Sequence, residues 1–267
     1  MKPSKLILNG TVGLILLWLI IPVVIVMPMS FSSARFLSFP PPSWSTRWYE
    51  AYLASAAWMD ATKVSLTLAV LSAVIATVLG TAAAYALNLS GSKLVRNLQV
   101  LLFLPVVVPI IITAVGVFVV YANVGLLATM TGLVLANVML GLPYVVTSVL
   151  VGLRKFDPAQ EMVSRSLGMN RLRTFFIVVL PQIRPSVISG LLFAFISALD
   201  ETVVALFISG GENQTLTKRM FTALRDEIDP TIAAISTLLT ATSFLVVMLV
   251  ALSARNDSAR VVADDDA

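Results

Sequence analysis

A run of 57 residues without one charged side chain, Asn97 to Leu153, restricts what this chain can fold into more than any other feature. A helix needs about 20 apolar residues to cross the hydrocarbon of a bilayer. The run is too long for one such helix and suits two joined by a tight turn, predicted at Tyr121-Ala122-Asn123-Val124-Gly125, where asparagine and glycine come together. Elsewhere the pattern repeats: Lys5 and Arg35 bracket 29 uncharged residues, and the whole chain is 58% hydrophobic and 12% charged. Soluble domains carry about 25% charged residues. The sequence therefore predicts an all-α integral membrane protein, one transmembrane domain over residues 1–267. Its six spans are expected at about 6–29, 64–87, 98–121, 126–152, 186–209 and 231–253.

The chain has no cysteine and no histidine, which excludes a disulfide framework, Cys or His metal sites and nucleophilic triads built on either. Its basic residues lie between apolar runs without the aromatic interleaving of a base-binding surface, so no nucleic-acid partner is expected. The first apolar run, Leu6 to Met29, exceeds the length of about 7–15 residues expected in a cleaved signal sequence and reads as an anchor, kinked by Pro22 and Pro28. Phe36 to Thr62 is polar and aromatic. It opens extended at Pro40-Pro41-Pro42 and then carries Trp44, Trp48, Tyr49, Tyr52 and Trp58, a density that fits a headgroup belt. The second span is rich in small residues, with Gly80, which lets membrane helices approach closely. Pro105, Pro109 and Pro143 interrupt the third and fourth. Proline at membrane depth is tolerated beside a neighbour or a cavity, so Pro143-Tyr144 is either a lining of a pathway or a packing kink.

Leu153 to Pro185 separates the fourth and fifth spans with six basic residues: Arg154, Lys155, Arg165, Arg171, Arg173 and Arg184. Asp157 can cap a helix with Pro158 first and Gln160 third, a capping-box arrangement that Gly168 would stop. At about 1.5 Å per residue that helix is half the thickness of a bilayer core and should lie outside the hydrocarbon. Asn170 can cap a second helix, expected to finish near Leu180 because Pro181 and Pro185 interrupt the ladder. From the residues alone the stretch could be an interfacial hairpin with its arginines among headgroups.

The spacing of Ser166, Leu167 and Gly168 to Val178, Leu180 and Pro181 resembles the EAA signature of permease subunits in binding-protein-dependent ABC importers. That signature has Glu-Ala-Ala where this chain has Met162, Val163 and Ser164, with Glu161 one position earlier. The resemblance implies a six-span permease whose loop 153–185, through Glu161, Ser164, Leu167, Gly168, Val178, Leu180 and Pro181, docks on a cytoplasmic ATPase. It also implies two copies of that ATPase, a second and homologous permease chain, and an extracytoplasmic binding protein, which the aromatic segment before the second span could touch. The chain has no GxxxxGK[ST] phosphate cradle, so ATP belongs to the partner and no cofactor is expected here. No catalytic activity is implied.

Counted over alternate loops, one side carries twelve Lys and Arg, including Lys2, Lys93, Arg96, Arg255 and Arg260, and the other six. The positive-inside rule puts the twelve in the cytoplasm, with both termini; the resemblance implies a bacterial inner membrane. Asp200 and Glu201 are the only ionisable residues inside a predicted span. Each costs about 2.5–3.5 kcal/mol at a helix centre, so they should face a cavity or a partner. Ser197-Ala198-Leu199-Asp200-Glu201 onward resembles the polyamine branch of the same family, the spermidine/putrescine importers. The pair is either a rest for a cationic substrate or a structural pair bonded to the backbone. A different solute, or a secondary transporter driven through the same pair, are the competing readings.

Overall fold

The computed structural model describes residues 3–90, 92–226, 229–245 and 247–248. Helices make up nearly all of it. In chain order they are α1 (Pro3–Ser30), α2 (Arg47–Ala54), α3 (Ala56–Leu89), α4 (Lys93–Val107), α5 (Ile110–Val124) and α6 (Met130–Lys155). There follow α7 (Pro158–Ser166), α8 (Arg171–Thr174), a π-helical turn (Phe175–Val179), α9 (Leu180–Asp200), α10 (Val203–Ile208), α11 (Leu216–Asp226) and α12 (Thr231–Leu245). Among the described residues, four helical stretches are long and apolar enough to cross a membrane: Leu8–Ser30, Ala56–Leu89, Met130–Lys155 and Arg171–Asp200. The expected sixth span, 231–253, falls partly outside the described residues, as do Lys2, Arg255 and Arg260; its described part is the shorter apolar α12.

The chain packs as two compact units, Met1–Asp60 with Arg219–Val246, and Ala61–Lys218 with Val247–Ala267. In the first, the segment after α1 is non-helical, as its prolines foretold, but it bends back on itself rather than running extended. Ser32 and Trp44 form an antiparallel bridge, and Arg47 Nη1 donates to Ser33 O at 3.0 Å. Tyr49 on α2 hydrogen-bonds Ser30 Oγ at 2.7 Å, and Arg219 lies 4.8 Å over the Trp58 ring. The second half of the stretch is helical, so the second span begins at Ala56, eight residues before its expected start.

The second unit is built on α6, whose Val145, Val146 and Val149 are wholly buried. Small residues on α6 and on its neighbours allow this. A Cβ on Gly80 of α3 would stand 2.7 Å from Val145 Cγ1, and one on Gly152 of α6 would stand 2.6 Å from Ser186 Oγ of α9, so the backbones meet only because neither side chain exists. Ser148 Oγ adds a bond to Ser186 O at 2.7 Å. Pro143 is buried in the same core, with its carbonyl taken by Thr147 Oγ1 at 2.7 Å.

The third span departs from expectation. α4 and α5 meet at 105° across Val108-Pro109, as a broken span or a re-entrant loop, where one helix over 98–121 was predicted. Pro109 has no N–H to continue the ladder and disfavours helix at Val108, so the chain turns there, while Pro105 is accommodated inside α4. The turn predicted at 121–125 comes later: Tyr121 to Val124 still belong to α5, Gly125 takes φ +71° as its C-cap, the Leu126 N–H closes on Tyr121 O at 3.0 Å, and the chain turns over 125–129. α6 then starts at Met130, capped by Thr129, which accepts from Gly132 N.

Candidate functional sites

α7 is held at both ends as its sequence directs. Asp157 accepts from Ala159 N at 2.9 Å with Pro158 at the helix start. At the other end Gly168 takes φ +91°, its N–H bonds Arg165 O at 3.0 Å, and Met169 N–H bonds Ser164 O at 3.3 Å, the double closure of a Schellman motif. The capping box does not form: Gln160 instead accepts from Gln182 on α9. Ser164 is buried and donates to the buried Thr174 at 3.1 Å. Glu161 accepts from the Tyr85 hydroxyl at 2.9 Å, and the Tyr85 ring lies 4.7 Å from Phe175. On the outer side Met162, Val163, Leu167 and Leu172 are exposed, Leu167 by 77%.

The second helix of this stretch does not finish near Leu180. Asn170 caps it as expected, accepting from Arg173 N at 2.8 Å, but α8, the π turn and α9 run on as one 30-residue stretch through Pro181 and Pro185. At Pro181 the π turn makes this possible: Leu180 N–H reaches back five residues to Phe175 O, and the widened turn changes which carbonyl lies opposite the proline ring, while Pro185 is accommodated inside the regular α9. Val178, Leu180 and Pro181 therefore sit on the root of a membrane helix rather than in a loop. The polar excursion between helices contracts from 153–185 to the region around α7, and the fifth span starts well before Ser186.

That helix stops at Asp200, short of the expected Ser209. Glu201 adopts an extended backbone, and its carboxylate turns onto the next helix, Oε1 accepting from Val204 N and Oε2 from Ala205 N, both at 2.9 Å. Thr217 Oγ1 donates to Glu201 O at 3.0 Å, and Thr202 Oγ1 to Asp200 O at 3.1 Å. Asp200 itself is exposed, and no side-chain bond engages its carboxylate among the described residues. It borders a cavity of about 560 Å³ lined also by Tyr144, Phe193, Ser197 and Glu201. Of the four residues expected on a pathway, the fold brings together Tyr144, Asp200 and Glu201 and leaves Pro143 in the core. Beyond the break, half-buried Lys218 donates to Ser209 O, and burial pulls its amine below the usual lysine range.

Sequence reasoning passed over Tyr85, Thr174 and Phe175, which seat α7. Tyr85 did carry a signal, as the lone aromatic in an otherwise small and aliphatic span.

The fold is similar to that of one chain of a bacterial ABC transporter involved in the import of the acidic polysaccharide alginate. The TM-score is 0.71 at 17% identity, over 97% of this chain and 96% of that one. The fold is thus one found in a chain of an ABC transporter. In sequence the chain is 34% identical to the putrescine transport system permease protein PotI of Escherichia coli (strain K12), over 82% of this chain and 80% of that protein. It is 29% identical to the spermidine/putrescine transport system permease protein PotC of Haemophilus influenzae, over 94% and 97%. Residues 76–258 match the binding-protein-dependent transport system inner membrane component family, and the chain belongs to that family. It is a multi-pass permease subunit of an ABC importer, a transport component and not an enzyme.

Proposed function

We propose that this permease conducts a polyamine, and that Asp200 meets the cation on its way through. The observation that carries the reading is the Asp200 carboxylate itself, exposed on a cavity at the C-terminal end of α9. Unpaired carbonyls give a helix C-terminus about half a negative charge, so carboxylate and helix end both favour an amine. Glu201 spends its charge on the α10 backbone and leaves Asp200 to face the cavity. The two relatives above are named for putrescine and spermidine, which supports the same class of substrate. In vesicles holding the complete complex, labelled putrescine should be taken up in preference to a neutral sugar or an anion. Preference for the anion would defeat the substrate class.

The partners follow the same reading: a cytoplasmic ATPase dimer that binds ATP and docks on α7, a homologous second permease, and an extracytoplasmic binding protein. Both termini and α7 lie in the cytoplasm. In this cysteine-free chain an impermeant maleimide applied to intact cells should label Glu212→Cys and spare Arg165→Cys, two exposed positions at opposite ends of α9. The opposite pattern would invert the topology.

A further inference from the structure

Among the described residues, three side-chain bonds hold α7 in its own unit, and they are not equivalent. Ser164 to Thr174 and Gln160 to Gln182 fasten it to the helix that follows it in the chain. Tyr85 to Glu161 joins residues 76 apart and fastens it to α3. A push on α7 reaches α9 through the backbone at Asn170, but among these three bonds only the Tyr85 hydroxyl carries it to α3. Both α3 and α9 pack on Val145 of α6, through Gly80 and Gly190. If they are to move as one body around α6, α7 must grip both.

We infer that Glu161 is a positioning residue that latches α7 to α3 through Tyr85, and that it turns inward rather than toward the ATPase. A hydroxyl-to-carboxylate bond is charge-assisted and directional, and the Tyr85 ring is held against Phe175 so that its hydroxyl is aimed before the bond forms. The position beside it is filled by Met162, 64% exposed, so Met162 and not the Glu161 carboxylate stands on the outer side of this turn of α7.

The inference rests on α7 being the segment the ATPase drives, and two measurements keep them apart. With a nitroxide on Arg165→Cys in the solubilised complex, Tyr85→Phe and Glu161→Ala should each mobilise α7, whereas Glu161→Gln, which keeps an acceptor, should not. Unchanged spectra in Tyr85→Phe and Glu161→Ala overturn the latch whatever the substrate. In vesicles supplied with putrescine, both variants should keep ATP hydrolysis within about twofold and lose about fivefold in uptake per ATP, the equivalent of one hydrogen bond. The double variant should be no worse than either single one. A glutamine as damaging as alanine would mean that the charge is read by a partner, and would overturn the assignment. Should Tyr85→Phe fail to assemble, the two Glu161 variants decide by the same readings. A mobilised α7 with unchanged uptake per ATP would leave the latch standing and sink the role of α7 as the driven segment.

Discussion

Gly168→Val is expected to abolish transport, by about 20-fold or more, while the protein still inserts. Gly168 sits at φ +91° in open space, with nothing within 4 Å of an added Cβ, so the penalty is wholly one of backbone conformation. For an ordinary L-residue the left-handed region costs about 1–2 kcal/mol, and a β-branched residue tolerates it worst. Valine would relieve this by leaving the region, which breaks the Gly168 to Arg165 and Met169 to Ser164 bonds and unwinds the end of α7 beside Leu167. Stimulated ATP hydrolysis should vanish with transport. Asparagine, which visits the left-handed region more readily, should keep a substantial part of both. Normal substrate-stimulated hydrolysis in the valine variant would show that α7 does not carry the signal.

The second large effect separates the two neighbouring carboxylates. Asp200→Asn keeps the shape of an unbonded side chain and removes its charge, so assembly should be unchanged and putrescine uptake should fall about 10- to 100-fold. That corresponds to about 1.4–2.7 kcal/mol, within what one partly screened ion pair supplies. Glu201→Gln retains one oxygen for the two N–H groups that its carboxylate now satisfies. The weakened cap costs about 1 kcal/mol and should appear as less assembled complex, with uptake per complex within about threefold of wild type. Uptake normalised to assembled permease is the measurement. Equal losses per complex in both variants would mean that Glu201 also meets the substrate, and no loss in Asp200→Asn would remove the cation from this site.

What could be read in advance was local. Asp157, Asn170, Gly125 and Gly168 act within one turn of themselves, through a capping oxygen or a permitted φ, and each does in the fold what its residue type dictates. The misreadings arose where one local rule met a longer-range condition. Pro181 ends a helix only if the ladder before it is an ordinary four-residue one, and the π turn changes that ladder, while Pro185 is carried inside the regular α9. The hydropathy of 186–209 is continuous across Asp200-Glu201-Thr202, so an apolar average passes over the break that a cluster of three polar residues creates. Tyr85 and Glu161 are 76 residues apart, and no pattern within either helix reports that they meet. Pro143 was ambiguous for a related reason: a proline tolerated beside a cavity and one tolerated beside a neighbouring helix look alike until the neighbour is known.

The π turn has a consequence at the opposite end of the helix it opens. One extra residue in a single turn rotates everything beyond it by about 100° and advances it by about 1.5 Å. The side of α9 that Gly190 and Ala194 present to α6, and the direction in which Asp200 leaves the last turn, are therefore set at Phe175–Val179, some 20 residues and about 30 Å away. That short wide turn works as a phase setting for the whole helix. An insertion or deletion confined to it would leave the composition of the span intact while swinging the acidic end toward a different neighbour.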